Sequence, residues 1–295
     1  MHSLPSECAY DIFIFLNSKE LLLCSQINSG FSNLCYLDSL WRNQINCECE
    51  TLFCYIRPYY EIFKKYCEIK TLSEKLKLNH RLDVLIYHLK ILDLYDKELK
   101  NIPRGIKHLT KLDNINLNLN SLTYFPIDLR YLTNLKSLSL ANNKLTELAP
   151  EIGYLTNLHL LTLNSNKLKN LPSQIGQLIN LEHLFITGNC LTCLPQEISY
   201  LTKLEYIDLS YNKLTSLSSP ISNLKNLKFL IVCHNELTTI PKELSNLTLL
   251  SSLYLEYNQI KSIPQEVIDL PNLTNISLVY NPIETKSDKI MTQYW

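Results

Sequence analysis

The sequence predicts an α/β fold in which a small helical unit precedes a curved solenoid with a parallel, concave sheet. Three observations predict this fold. Asparagine and leucine each return every 23 residues over about two-thirds of the chain, apolar residues alternate within each period, and the residues ahead of the period place apolar side chains at helical spacing. We expect a helical domain at residues 1–45, a helical linker or N-terminal cap at 46–88, repeats at 89–283 and a tail at 284–295.

Two columns of residues define the period. The asparagine column consists of Asn120, Asn143, Asn166, Asn189, Asn212, Asn235, Asn258 and Asn281. The leucine column, which begins each unit, consists of Leu89, Leu112, Leu135, Leu158, Leu181, Leu204, Leu227, Leu250 and Leu273. Eight full units therefore run from 89 to 272, and a ninth breaks off at Ile283.

Each unit predicts one short strand and one turn. Residues 158–180 read LHLLTLNSNKLKNLPSQIGQLIN, in which Leu161 and Leu163 alternate with Thr162, so that the two leucines point inward while Thr162 between them points outward. A single unit cannot bury its apolar face, so neighbouring units stack and share one core. The recurring asparagine is interpreted as structural, because its amide can satisfy backbone groups that are freed where the chain leaves the strand.

A proline column predicts the turn on the convex side. It consists of Pro103, Pro126, Pro172, Pro195, Pro241 and Pro264. Ala149 and Ser218 replace this proline in two units, and Lys97 replaces the first asparagine, which is typical of a modified N-terminal cap. The whole pattern resembles the leucine-rich-repeat family in its 23-residue form. That resemblance implies a domain that binds another protein.

The outward positions change in character along the array. In the early units they are small or polar, as at Asn116, Ser137, Ser139 and Thr162. From the fifth unit onward aromatic residues cluster with a few charges, a composition typical of protein-binding hot spots. Since strands favour aromatics in any case, the alternative is strand propensity alone. The predicted target-binding residues are His183, Phe185, Tyr206, Asp208, Tyr211, Phe229, Ile231, His234, Tyr254, Tyr257 and Tyr280.

The first forty residues predict three short helices. Residues 4–41 read LPSECAYDIFIFLNSKELLLCSQINSGFSNLCYLDSLW, with apolar residues at steps of three and four. This segment resembles the F-box motif along its whole length. The matching residues are Leu4, Pro5, Glu7, Ile12, Leu16, Leu21, Ile27, Phe31, Leu34, Leu40 and Trp41. Departures are Ser29-Gly30, where a basic or Cys-bearing turn is common, and Phe31, where tryptophan is more frequent.

The F-box resemblance implies a partner and a role. F-box segments dock onto the Skp-type adaptor of cullin–RING ubiquitin ligases, and the repeats that follow hold the substrate. On that interpretation the adaptor-binding residues are Leu4, Pro5, Ile12, Leu16, Leu21 and Ile27. The alternative is that these residues form only the core of a helical cap, because core and interface share residues in so small a unit.

Charge and composition exclude several classes of partner. Lys plus Arg and Asp plus Glu both number 28, so the chain lacks the surplus of cations that binding to nucleic acid or an anionic membrane requires. No stretch approaches the roughly 18–20 apolar residues of a membrane span. We expect a cytoplasmic protein, with the nucleus as an alternative location. The many Leu, Ile, Asn, Lys and Tyr residues fit an AT-rich genome, and if that genome belongs to a large DNA virus rather than a protist, the expected location is the host cytoplasm. Its ten cysteines are expected to be reduced.

No catalytic, metal or cofactor site is predicted. The sequence has no phosphate-binding loop, HExxH motif or nucleophile elbow. Cys47, Cys49 and Cys54 form one cysteine group, and Cys190 with Cys193 forms another. Neither group has a nearby histidine to complete the four ligands of a zinc site.

Two function hypotheses remain from the sequence. The first is a ubiquitin-ligase receptor, whose N-terminal segment recruits the adaptor and whose repeats select an unknown target protein. The second is an intracellular scaffold unrelated to a ligase, in which the N-terminal segment is only a cap. Binding to a Skp-type adaptor distinguishes the two.

Overall fold

The computed structural model describes residues 65, 68–69, 71–78 and 88–284. The chain divides into two compact units. One comprises Met1–His88 with Pro103–Leu109, and the other comprises Leu89–Ile102 with Thr110–Trp295. The predicted adaptor-binding residues, the cysteine group of Cys47, Cys49 and Cys54, and most of the predicted linker or cap at 46–88 lie outside the described residues.

The larger unit contains a parallel sheet whose nine strands follow one another in chain order. The strands are β1 Ile91–Asp93, β2 Asn114–Asn116, β3 Ser137–Ser139, β4 Leu160–Thr162, β5 His183–Phe185, β6 Tyr206–Asp208, β7 Phe229–Ile231, β8 Ser252–Tyr254 and β9 Asn275–Ser277. Each residue pairs with the one 23 positions later, as Tyr206 does with Phe229. The predicted parallel sheet is therefore confirmed, with a register set by the sequence period.

The strands are short because only their central residue belongs to the core. Leu138, Leu184 and Leu230 are fully buried, whereas the residues on either side of them point away from the core. The leucine and isoleucine columns of successive units are buried in the same way, so one apolar core runs through the repeats. Each strand thus places the third and fifth residues of its unit on a common sheet face, except that Ser252, the third residue of its unit in β8, is itself buried.

Short helices return the chain from one strand to the next on the other side of the larger unit. The 3-10 helices are Ile127–Tyr131, Pro150–Tyr154, Ser173–Gln177, Gln196–Tyr200, Ser219–Asn223 and Lys242–Asn246, and a single α-helical turn spans Gln265–Ile268. The residue before each helix is extended, with φ of −70° at Pro126 and −68° at Pro172. Ala149 and Ser218 adopt −67° and −68°, so the two units that lack proline keep the same turn.

The asparagine column forms a buried hydrogen-bond ladder, as predicted. Asn143 shows the pattern: its amide donates to the Leu117 carbonyl (2.9 Å) and the Leu140 carbonyl (3.1 Å). Its side-chain oxygen accepts the Leu122 N–H at 3.0 Å. Each asparagine therefore joins its own unit to the preceding one. Its removal would leave several buried backbone groups unpaired, at about 1–3 kcal/mol each.

A second asparagine series, which the sequence analysis did not identify, closes the loops that enter the strands. The amides of its members donate to threonine carbonyls 24 residues earlier, for example Asn134 to Thr110 at 2.8 Å and Asn226 to Thr202 at 2.7 Å. The other members are Asn157, Asn180 and Asn272. These bonds are exposed, so they contribute less to stability than the buried ladder.

The smaller unit is described only in part. Its helical residues include 65, 68–69 and 71–75, and a 3-10 helix spans Arg104–His108. Ile69, Leu72 and Leu76 are buried, in agreement with the helical spacing of apolar residues in this segment. The Glu68 carboxylate lies 2.6 Å from Lys107 Nζ and 2.8 Å from His108 Nε2.

Candidate protein-binding face

The parallel register brings the predicted target-binding residues of successive units side by side. The third and fifth residues of each 23-residue unit are the first and last residues of its strand. We call these residues the early face where they belong to β1–β4, and the late face where they belong to β5–β9. On the late face His183 pairs with Tyr206, and Phe185 with Asp208. One strand further, Ile231 lies beside Tyr254. Residues 23 apart in sequence therefore become neighbours on one surface.

Four rings of the late face form an aromatic cluster. Tyr206 lies at its centre: the ring centroid of Phe185 is 4.9 Å away, that of Phe229 is 5.5 Å away, and that of His183 is 6.3 Å away with an edge-on approach. These separations lie in the range of favourable aromatic pairs. The rings are half-buried or, for Phe229, exposed. The cluster is therefore preassembled and remains accessible to a bound protein.

A second aromatic group lies at the eighth position of each unit, directly before the ladder asparagine. Tyr211, His234, Tyr257 and Tyr280 form a continuous stack, which we call the aromatic stack. Successive ring centroids lie 4.1, 4.1 and 4.2 Å apart, with interplanar angles of 11°, 13° and 21°. Tyr211 and Tyr280 at its ends are 56% and 67% exposed. These four residues belong to the predicted target-binding set, but their stacking was not predicted from the sequence.

The stack is built on an unfavourable backbone conformation. All four residues have positive φ, between 53° and 59°. Side chains other than glycine pay about 1 kcal/mol or more in this region, and asparagine or glycine is the ordinary occupant. Ring stacking, worth about 0.5–1.5 kcal/mol for each pair, offsets that cost.

One carboxylate lies on the late face. Asp208 lies between Phe185 and Ile231 and accepts the Ser210 N–H at 2.9 Å. Directly before β6, Glu205 pairs with Lys228 at 2.7 Å, and both side chains are partly exposed, so this pair contributes little to stability. Burial raises the pKa of the Tyr206 phenol, and the charge of Asp208 raises it further. The phenol is therefore protonated at neutral pH and can donate a hydrogen bond.

The thiol of Cys233 is held in its protonated form beside the stack. Burial raises the pKa of Cys233 to about 12, with a further contribution from Glu256, whose Oε2 atom lies 2.6 Å from the sulfur. A thiol of this kind is a poor nucleophile. The arrangement is consistent with a binding surface and offers no activated cysteine.

Exposed tyrosines on the side of the short helices were not predicted from the sequence. Tyr131, Tyr154 and Tyr200 occupy the twentieth position of their units, and all three are exposed. Their common position in the unit is a signal that the sequence does contain.

The described residues contain neither a metal-binding group nor a membrane-spanning helix. In residues 65, 68–69, 71–78 and 88–284, no group of three or more His, Cys, Asp or Glu side chains could hold a metal ion. Within the same ranges no helix has the length and apolar character needed to cross a bilayer.

Three family models match the sequence. Residues 1–46 match the family described as F-box-like, residues 126–218 match Leucine-rich repeat region, and residues 225–283 match Leucine rich repeat. Both kinds of family are typically interaction modules without enzymatic activity, and no match indicates a catalytic domain. No curated protein matches the chain significantly.

Solved structures resemble the repeats. A leucine-rich repeat protein of Leptospira interrogans is 34% identical, with a TM-score of 0.56, over 68% of this chain and 57% of that one. An internalin, InlF, from Listeria monocytogenes is 26% identical, with a TM-score of 0.62, over 69% of this chain and 58% of that one.

The leucine-rich-repeat ectodomain of the plant membrane receptor kinase GASSHO1/SCHENGEN3 from Arabidopsis thaliana, in complex with CASPARIAN STRIP INTEGRITY FACTOR 2, is 32% identical, with a TM-score of 0.57. That match covers 62% of this chain and 23% of the ectodomain. The chain thus spans less than two-thirds of the length of each of these three proteins.

Proposed function

We propose that this chain acts in ubiquitin ligation. It belongs to the F-box proteins with leucine-rich repeats, and it is therefore a protein–protein interaction adaptor. In this proposal it is the substrate-recognition subunit of a cullin–RING ligase. The F-box-like residues bind a Skp-type adaptor, and the late face with the aromatic stack binds the target protein. Both halves of the interaction are protein-mediated and need no cofactor.

The observation that carries the proposal is the order of the two modules. An F-box-like segment at residues 1–46 precedes repeats whose late face gathers aromatic rings, half-buried or exposed, around Tyr206. Clusters of tyrosine and phenylalanine in contact with one another are the residues that dominate protein–protein affinity. A module that recruits a ligase, joined to a surface suited to protein capture, supports the role of a receptor.

The adaptor half is tested with the full chain and a single variant. Leu16→Asp places a charge in the predicted adaptor-binding set, and Ile179→Asp, at an exposed position on the repeats, is the matched control. We expect the wild type and the control to co-purify with a Skp-type adaptor, and Leu16→Asp to lose at least about tenfold in affinity. An intact, folded chain that binds no such adaptor would contradict the proposal and favour the scaffold hypothesis.

The target half is tested by a double variant of the cluster. Tyr206→Ala with Phe229→Ala removes the central ring and one neighbouring ring. The control, Ser137→Ala with Leu160→Ala, changes the third residue of two early units, on β3 and β4. We expect the first pair to lower target capture by about tenfold or more and the second pair to leave it unchanged. Full capture by a folded Tyr206→Ala, Phe229→Ala variant would rule out this face as the target site.

A further inference from the structure

The aromatic stack ends at Tyr211, although the same backbone conformation continues one unit further, at Gly188. Gly188 occupies the eighth position of its unit, one repeat before Tyr211, and has a φ of 67°. Its N–H donates to the Ser210 carbonyl at 2.9 Å, just as the Tyr211 N–H donates to the Cys233 carbonyl at 2.9 Å. A ring carried at this position would therefore bear the same relation to Tyr211 that Tyr211 bears to His234.

A side chain can begin at Gly188 without a clash. A Cβ atom added there would have Ser165 Oγ as its nearest neighbour, 3.5 Å away, which is ordinary van der Waals contact. Among the described residues, the Tyr211 ring pairs with the ring of His234 and with no other aromatic ring. Because rings in the stack follow one another from unit to unit, the second face of the Tyr211 ring is uncovered on the side of Gly188.

We propose that the space beside Gly188 is a docking position for an aromatic side chain of the bound protein, which stacks on the free face of Tyr211. The partner's ring would extend the aromatic stack by one member. The proposal rests on the proposed function, since it specifies one anchor of the target on the same surface. It assigns a role to Gly188 that only a residue with a small side chain can fill, because a larger side chain would occupy the docking position.

The geometry favours a ring over other apolar groups. Three consecutive ring pairs in the stack already show that planar groups fit at the spacing of one repeat. An aliphatic side chain would fill the space without the stacking contribution. A planar group from the partner gains that contribution without the backbone cost that residues of this chain pay at positive φ.

The test uses random peptides displayed on phage and selected on the immobilised full chain. Peptides that bind are measured against the wild type, Gly188→Tyr and Asn142→Tyr. Gly188→Tyr fills the space with the chain's own ring, in a conformation that Tyr211 and Tyr257 already adopt. Asn142→Tyr adds the same ring at the same position of a unit two repeats away, at a φ of 54°, and is the matched control.

We expect selected peptides to share an aromatic residue whose replacement by leucine weakens binding about tenfold. Gly188→Tyr should lower the affinity for these peptides by a similar factor, whereas Asn142→Tyr should leave it unchanged. On Gly188→Tyr, replacing the peptide's aromatic residue by leucine should cause no further loss of affinity. Tyr211→Ala, which removes the stacking face, provides a second variant if Gly188→Tyr fails to fold. Thermal unfolding of each variant identifies such a failure.

Two results would overturn the inference. One is the absence of any selected peptide whose binding depends on both an aromatic residue and Gly188. The other is an arginine that replaces the aromatic residue without loss, since the position would then select for charge. If peptide binding or target capture instead depends on Tyr206 and Phe229 but not on Gly188, the docking position is wrong while the proposed target face stands.

Discussion

The early and late faces share one scaffold and differ in what they display. Both are built on strands of three residues in the same 23-residue register, with the same asparagine ladder behind them. The early face carries mainly small or polar residues such as Ser137 and Thr162, with Ile91 as an exposed apolar exception. The late face carries the aromatic cluster. Stability therefore depends on the positions that repeat, and recognition depends on those that vary.

The eighth position of the unit makes the same contrast at the level of the backbone. Asn142 and Ser165 in the early units and Tyr211 and Tyr257 in the late units all have φ between 53° and 55°. Asparagine tolerates this conformation, whereas tyrosine pays for it. Only the late units recover the cost through stacking, so an unfavourable residue choice is concentrated where rings are exposed.

The largest expected effect tests whether the scaffold is equivalent in the two regions. Asn166→Ala in an early unit and Asn235→Ala in a late unit should each lower the free energy of unfolding by about 2–4 kcal/mol, because both leave buried backbone groups unpaired. Both asparagines donate to carbonyls 26 and three residues earlier. Denaturant titration measures the loss. A loss confined to one region would break the equivalence.

A smaller effect, opposite in sign between the regions, tests the backbone argument. Ser165→Gly relieves positive φ without losing a ring and should stabilise the protein by about 0.5 kcal/mol. Tyr257→Gly relieves the same conformation but removes two stacked pairs, and should destabilise by about 1 kcal/mol. Thermal unfolding compares the two variants. Stabilisation by Tyr257→Gly would show that stacking does not offset the backbone cost.

The smallest expected effect concerns thiol chemistry and leaves stability unchanged. With its pKa raised to about 12, Cys233 is a thiolate in only about one molecule in ten thousand at pH 8. Iodoacetamide should therefore modify the exposed Cys193 well before Cys233, and Glu256→Gln should speed the reaction of Cys233. Mass spectrometry of timed samples follows both sites. Equal rates in the wild type would contradict the protected thiol beside the stack.

Much of the fold was predictable because the repeat places the same physical demand on every unit. The alternation around Leu138 and the spacing of Asn143 predicted both the strand and the ladder. The asparagine series of Asn134 and Asn226 was not predicted, since its partners are backbone carbonyls 24 residues earlier whose positions depend on how the units stack. The tyrosines at 131, 154 and 200 could have been identified from their common position.

The candidate site was predictable as a set of residues but not as an arrangement. Periodicity assigned Tyr206 and Phe229 to one surface, and their contact follows from the pairing of neighbouring strands. The position of each residue in the unit separates the aromatic cluster from the aromatic stack, but the ring contacts within each group depend on side-chain orientation, which the sequence does not specify. The predicted adaptor-binding residues, Leu4 to Ile27, remain a prediction.

The repeat, the register and the identity of the outward residues follow from the sequence alone, because a strict 23-residue period allows each unit to bury its leucines in only one way. Which rings face one another, and which do not, depends on how the folded units stack. The free face of Tyr211 beside Gly188 is the clearest case. It exists because two residues 23 positions apart share a backbone geometry while only one carries a ring, and that relation appears only when the units are stacked.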